Sequence, residues 1–225
     1  MTNETTSGPD AAAVLDPVEL RVLAVLAEKE ALTPDNYPMS LNAIVNGCNQ
    51  LSSRDPVMQL SDDIVLDTLQ RLAERKLVNA ISQAGARVVK YEHRMRIKWT
   101  LEQDKLAVLT ILMLRGLQTA GEIRTRTGRL FEFRSVPDVE AVLQFLIDKY
   151  PPLVARLDRA PGTKEARYGH LLGGELPAYE APAAGAGLGG GGASRVGQLE
   201  QEVAALRGEL GELRAQFEAF RQQFQ

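Results

Sequence analysis

The only two histidines of this 225-residue chain, His93 and His170, each close a basic-Tyr-x-His frame: "KYEH" at Lys90 to His93 and "RYGH" at Arg167 to His170. Imidazole is the side chain best suited to proton transfer near neutral pH and to holding a transition metal. The pair therefore poses a choice between split chemistry and one structural position written twice. A catalytic or metal site needs convergent partners. No His or Cys stands three or four residues from either histidine, and the single cysteine, Cys48, lies between Asn46 and Asn49 with no histidine near it in sequence. The expectation is no catalytic residue, no metal and no cofactor in a non-enzymatic protein, with Cys48 a small buried residue. Strand alternation puts Val89, Tyr91 and His93 on one face, and Ala166, Tyr168, His170 and Leu172 likewise, turning Lys90 and Arg167 the other way. A Tyr-x-His pair packed behind a hairpin, its polar tips hydrogen-bonded, accounts for both copies.

The elements that carry these frames come in a repeating order. "DPVE" announces a first helix, with Asp16 as cap, Pro17 at the first helical position and Glu19 completing a capping box. Leu15, Val22, Leu23 and Leu26 give it an apolar stripe. Ser40 opens a second helix through about Gln50, and a third begins at Ser61, with Ile64, Val65, Leu69 and Leu72 predicted as its buried face. The runs "LVNAISQ" and "RVVKYEH", separated by Ala84-Gly85-Ala86, read as a hairpin. "LEQDKLAVLTILMLRGLQT" (Leu101 to Thr119) then aligns without a gap on "LDPVELRVLAVLAEKEALT" (Leu15 to Thr33). Further helices from about Gly121 and from Pro137 to Tyr150 follow, and a hairpin of "LVARLD" and "EARYGHLL". Three helices and a β-hairpin, twice, is the element order of a winged helix-turn-helix. The fold class predicted is mainly α with small β-hairpins (α+β): a tail over 1–14, tandem winged helix-turn-helix domains over 15–98 and 99–172, a Gly/Ala/Pro-rich linker over 173–194 and a coiled coil over 195–225.

The coiled coil rests on apolar residues at alternating steps of three and four: Val196, Leu199, Val203, Leu206, Leu210, Leu213, Phe217, Phe220 and Phe224. In a parallel pairing Arg195 meets Glu200, Glu202 meets Arg207 and Glu209 meets Arg214, all attractive, so self-association as a dimer or trimer is expected. A net charge of −3 does not announce a nucleic-acid binder, and charge must be read locally. One cysteine suits a reducing compartment, no window is apolar enough for a membrane span, and the first residues carry no leader pattern. A cytoplasmic protein away from the membrane is the expectation.

The stretch "TPDNYPMSLNAIVNGCNQLSSRDPVM" (Thr33 to Met58), with "LAEKE" before it and "LMLRGLQTAGEIRTR" and "EARYGHLL" after it, resembles the YceH family of bacterial proteins. That resemblance covers roughly Leu15 to Leu172 and implies two winged-helix domains with no established activity. The family's usual lysine-type residue after "CNQ" is Leu51 here, and its asparagine before the arginine is Ser53.

Two functional readings stand side by side. As a transcriptional regulator the protein would bind duplex DNA through Arg124, Arg126 and Arg129 on the second unit's second helix, with Arg156, Arg159, Lys164 and Arg167 around its wing and Arg87 and Lys90 on the first wing. Both third helices open acidic, "SDDIVLD" and "VPDVE", which suits the helix dipole and repels phosphate. As a protein-interaction scaffold it would use the polar loop that offers Asn46, Asn49, Gln50, Arg54 and Asp55.

Overall fold

Asp16 starts the first helix through the predicted capping box. Its Oδ1 accepts from the amides of Val18 and Glu19, both at 2.8 Å, while Glu19 Oε2 accepts from the Asp16 amide at 3.0 Å. The computed structural model describes residues 14–82, 88–157 and 165–176. In chain order these form α1 (Pro17–Leu32), β1 (Met39–Ser40), α2 (Leu41–Cys48), α3 (Asp62–Glu74), β2 (Val78–Ile81) and β3 (Lys90–His93). There follow α4 (Met95–Trp99), α5 (Gln103–Arg115), α6 (Ala120–Thr127), α7 (Val136–Ile147), β4 (Val154–Leu157) and β5 (Arg167–His170). Ser40, Ser61, Thr119 and Ser135 cap α2, α3, α6 and α7, each satisfying an otherwise orphaned amide of the first turn. The result is a mixed α+β architecture of helices with two small antiparallel sheets.

The repeat extends to individual hydrogen bonds. Val78 opposes His93 and Ile81 opposes Lys90 in the first hairpin; Val154 opposes His170 and Leu157 opposes Arg167 in the second. Met39, just before the α2 cap, pairs with Tyr91, and Gln118, just before the α6 cap, bridges to Tyr168. The amides of Leu77 and Leu153 donate to Leu72 and Leu146 oxygens at 2.9 and 3.0 Å, and those of Arg94 and Leu171 donate back to Leu77 and Leu153, both at 2.8 Å. "KYEH" and "RYGH" are one position written twice.

The two repeats share one core. α1 and α5 pack against each other, and the apolar faces of α3 (Leu69, Leu72) and α7 (Leu143, Leu146) close on them. A single stripe on α1 is too little: Glu19 through Glu28 are all buried, because α2 and α3 cover one side and α5 the other. The Leu15 amide donates to the Leu172 oxygen at 2.8 Å, tying the start of the first repeat to the end of the second. The described chain continues to Leu176, whose methyls lie beside Gly169.

Three features differ from the sequence reading. Ile64, expected in the buried face of α3, is 46% exposed, since the first turn of α3 projects beyond the core that Val65 enters. β1 was too short to register as a periodic pattern. α4 was not anticipated either; Thr100 ends it at φ 49°, in the left-handed region. The hairpin tips with Arg87, Arg159 and Lys164, most of the linker over 173–194, and the heptad seam from Val196 to Phe224 lie outside the described residues. No helix among the described residues is long and apolar enough to cross a membrane.

Gly47 sets how closely α2 approaches α1. A Cβ there would stand 2.6 Å from Val25 Cγ1, a buried β-branched side chain with little freedom to rotate away. Gly47→Ala should lower the unfolding free energy by about 1–3 kcal/mol, the usual cost of overpacking, measured by urea denaturation. Gly169→Ala should cost less, because its neighbours at 2.6 and 2.7 Å are the outer methyls of Leu117 and Leu176, which can turn.

Candidate functional site

The two histidines occupy matched positions in dissimilar surroundings. His93 is buried, its Nδ1 accepting from the Met95 amide at 3.2 Å. That leaves Nε2 as the protonated nitrogen, donating to Glu30 Oε2 at 3.2 Å. Arg96 Nη2 donates to the same oxygen at 3.0 Å, and the Tyr37 hydroxyl accepts from the His93 amide at 2.7 Å. The His93 hydrogen bond, joined by Arg96 and opposed by burial, brings the Glu30 carboxyl down to about 2. His170 Nδ1, by contrast, is shut off from solvent with no hydrogen-bond partner, and burial pushes its pKa down to about 4. The expectation of hydrogen-bonded polar tips thus fits His93 and fails for His170 Nδ1.

Burial also pushes the Cys48 thiol up to about 12, which keeps it protonated and a poor nucleophile near neutral pH. Among the described residues no group of three or more His, Cys, Asp or Glu could hold a metal ion.

In the loop from Asn49 to Leu60, expected to offer a partner-binding patch, Asn49, Gln50 and Arg54 are engaged internally while Asp55 is exposed. Arg54 is 6% exposed. Its Nη1 and Nη2 donate to the two Glu28 oxygens at 3.1 and 2.6 Å, its Nε to the Gly47 oxygen at 3.1 Å, and its Nη2 also to Gln50 Oε1 at 2.7 Å. Asn49 clamps Leu60, donating to its oxygen and accepting from its amide, both at 2.8 Å. Arg21, buried in α1, donates to the oxygens of Cys48 and Pro56 at 3.0 and 2.6 Å. Across the repeat boundary the Asp55 amide donates to the Leu114 oxygen at 2.8 Å and Arg115 Nη2 to Ser53 Oγ at 2.6 Å. Asn46 donates to Oδ1 of its helix neighbour Asn42 at 3.2 Å. The "CNQ…R.PV" signature is therefore a clamp that closes the loop on α1 and α5.

Sequence reasoning missed the clamp's other half, Arg21 and Glu28. The available signal was their charge inside the apolar run of α1. Burial, then the Arg54 charge, lowers the Arg21 pKa. At Glu28 burial acts to raise the pKa, but the hydrogen bond and charge of Arg54, with Lys29, outweigh it and hold the carboxyl below its ordinary value. Ser53 sits at φ 63°, where asparagine is far more at ease than serine. Ser53→Asn should raise stability by up to about 1 kcal/mol in chemical denaturation.

The basic candidates are largely engaged as well. Arg124 donates to the oxygens of Phe133 and Arg134 at 3.4 and 3.1 Å, and Arg126 to Gln118 Oε1 at 2.7 Å and Glu122 Oε1 at 3.5 Å. Arg167, read as turned outward, is half-buried and donates to the Leu117 oxygen at 3.0 Å and Glu122 Oε2 at 3.3 Å. Arg156 lines a small pocket with Glu140 and Glu165. Arg124, Arg129, Arg156 and Lys90 are exposed. On the third helices Asp62, Asp63, Asp67, Asp138 and Glu140 are all exposed, with Arg71 paired to Asp67 and Asp16.

One open groove of about 440 Å³ gathers residues from both candidate sets. It runs between the C-terminal end of α1, the edge strand β1 and the outer face of α2. Lys29, Asn36, Ser40, Asn46, Gln50 and Lys90 supply its polar lining.

These features define a mixed α+β protein of two like helix-and-hairpin units around one core, carrying a charged groove and, among the described residues, no assembled nucleophile or metal cluster. The chain belongs to the UPF0502 family, to which YceH belongs, whose function is not established. A family model described as "Protein of unknown function, DUF480" matches residues 15–163. A UPF0502 protein of Herminiimonas arsenicoxydans is 64% identical over 219 residues, covering 95% of this chain and 92% of the relative. One from Azoarcus sp. (strain BH72) is 54% identical, covering 98% of each, and one from Vibrio parahaemolyticus is 47% identical, covering 91% of this chain and 97% of the relative.

Proposed function

We propose that this chain is a non-enzymatic protein-interaction module. It consists of two tandem winged helix-turn-helix units, joined through a flexible linker to a parallel coiled coil that makes it an oligomer. The observation that carries this reading is the exposed face of α3. Asp62, Asp63 and Asp67 stand with Ile64 where a recognition helix would meet base edges and phosphates. Carboxylates there repel a phosphate backbone, while an apolar side chain ringed by acids suits a protein surface. The engagement of Arg124, Arg126 and Arg167 in internal hydrogen bonds points the same way.

The rival reading is a duplex-DNA-binding regulator in the cytoplasm. Titrating the full-length protein with duplex DNA across a range of salt separates the two. The expected result is weak binding with a shallow salt slope. A steep slope, about 0.9 per phosphate contact, abolished by replacing Arg129 and Lys90 with alanine, would overturn the interaction reading. For assembly, light scattering should give an oligomer for the full chain and a monomer once residues 195–225 are removed. An unchanged mass after that truncation would sink the coiled coil.

A further inference from the structure

The geometry points to the groove between α1, β1 and α2 as the docking site for an extended acidic peptide segment of a partner protein, an inference that rests on the interaction-module reading. Its charge is positive. Lys29 lies 3.2 Å from Glu28, but that carboxylate already holds Arg54 at 2.6 Å, so two cations share one anion. Arg54 is buried behind the groove, so the charged side chains that line it are Lys29 and, on the opposite wall, Lys90, which is exposed and has no ion-pair partner among the described residues.

Hydrogen-bonding capacity decides the ligand class. Gln50 Oε1 accepts from Arg54, which leaves its amide hydrogens as donors; Asn46 Nδ2 spends one of its two hydrogens on Asn42, which leaves the other as a donor and Oδ1 as an acceptor. A groove that offers both a donor and an acceptor matches a peptide backbone, whereas a phosphodiester asks for donors alone. β1 contributes the third element. Among the described residues it pairs with β3 alone and is an edge of its sheet, so one side of this two-residue strand is unpaired within the sheet. About 440 Å³ is within the range of sites that enclose a short ligand segment. Carboxylates on the segment meet Lys29 and Lys90, and its main chain meets Gln50, Asn46 and β1.

The test uses the full-length protein and three fluorescein-labelled probes at low salt, read by anisotropy: a peptide of alternating glutamate and alanine, the same peptide with lysine for glutamate, and a short DNA duplex. The glutamate peptide should bind saturably and the lysine peptide should not. Lys90→Glu should weaken the glutamate peptide by at least about tenfold, the loss of one close charge pair together with the repulsion that replaces it. Lys90→Arg should retain binding, and Lys29→Gln should give a smaller loss. Absence of saturable binding, or binding indifferent to Lys90→Glu, overturns the groove assignment while leaving the interaction-module reading to the salt titration. Duplex DNA that competes with the peptide and depends on the same lysines overturns both.

Discussion

Arg54→Ala should lower the unfolding free energy by about 3 kcal/mol, because the buried Glu28 carboxylate loses the two nitrogens of Arg54 and keeps Lys29 at 3.2 Å. For a domain of ordinary stability, roughly 5–15 kcal/mol, that is a large fraction of the whole. The loss has a structural direction. Arg54 also donates to the Gly47 oxygen and to Gln50, so its removal frees the C-terminal end of α2 together with the loop that reaches α5 through Asp55 and Ser53. Amide hydrogen exchange should accelerate first at the Asp55 and Leu60 amides and only later in α1. The paired replacement Glu28→Leu with Arg54→Met should recover much of the loss, since a buried ion pair exchanged for apolar groups of similar volume is often close to neutral. A loss under 1 kcal/mol in Arg54→Ala, or a double variant no better than the single one, would show that the clamp does not hold the loop.

That clamp marks the limit of what the sequence discloses. Local interactions were legible: the Asp16 and Glu19 capping box and the Ser40 and Ser61 caps depend on residues within a few positions of one another, and the two hairpins with matched Tyr-x-His frames join neighbouring runs of the chain. The family signature was legible too, but its use was not. "CNQ…R.PV" reads as a polar, outward loop because its residue types are polar; what turns Arg54 inward is Glu28 on α1, 26 residues away. Likewise Arg167 has the alternation of an outward strand residue, and Glu122 on α6, 45 residues distant, holds it against the unit. Ile64 fails in the opposite sense, since helical spacing places it beside Val65 on α3 yet does not say where the core ends. The groove could not be read at all. Its walls come from α1, β1, α2 and β3, and only the duplicated hairpin brings Lys90 opposite Ser40 beside α2.

Acid should destabilise this protein in two successive steps, the first of them set by His170. Free in an unfolded chain its imidazole charges near pH 6.5; in the folded protein burial delays that to about 4. Between these values the unfolded state takes up a proton that the folded state refuses, so stability falls as pH drops from 6.5 and levels off below 4. The full difference amounts to about 3 kcal/mol. Glu30 acts next. Its carboxyl, held down to about 2 by His93 and Arg96, contributes stability that is complete above 4.5 and lost as pH falls toward 2. Urea midpoints measured at intervals from pH 7 to pH 3 should therefore decline through both windows. His170→Leu should flatten the first decline and leave the second, since it removes the titrating ring and keeps an apolar side chain in a site whose Nδ1 has no hydrogen bond to lose. Glu30→Gln should do the reverse. The contrast between His170 and His93 is what makes the first step specific: equivalent in strand register, the two rings differ in that His93 Nε2 donates to Glu30 while His170 Nδ1 is buried with no hydrogen-bond partner among the described residues. A His93→Leu variant that flattened the first window as fully as His170→Leu would assign the proton uptake to the wrong copy of the frame.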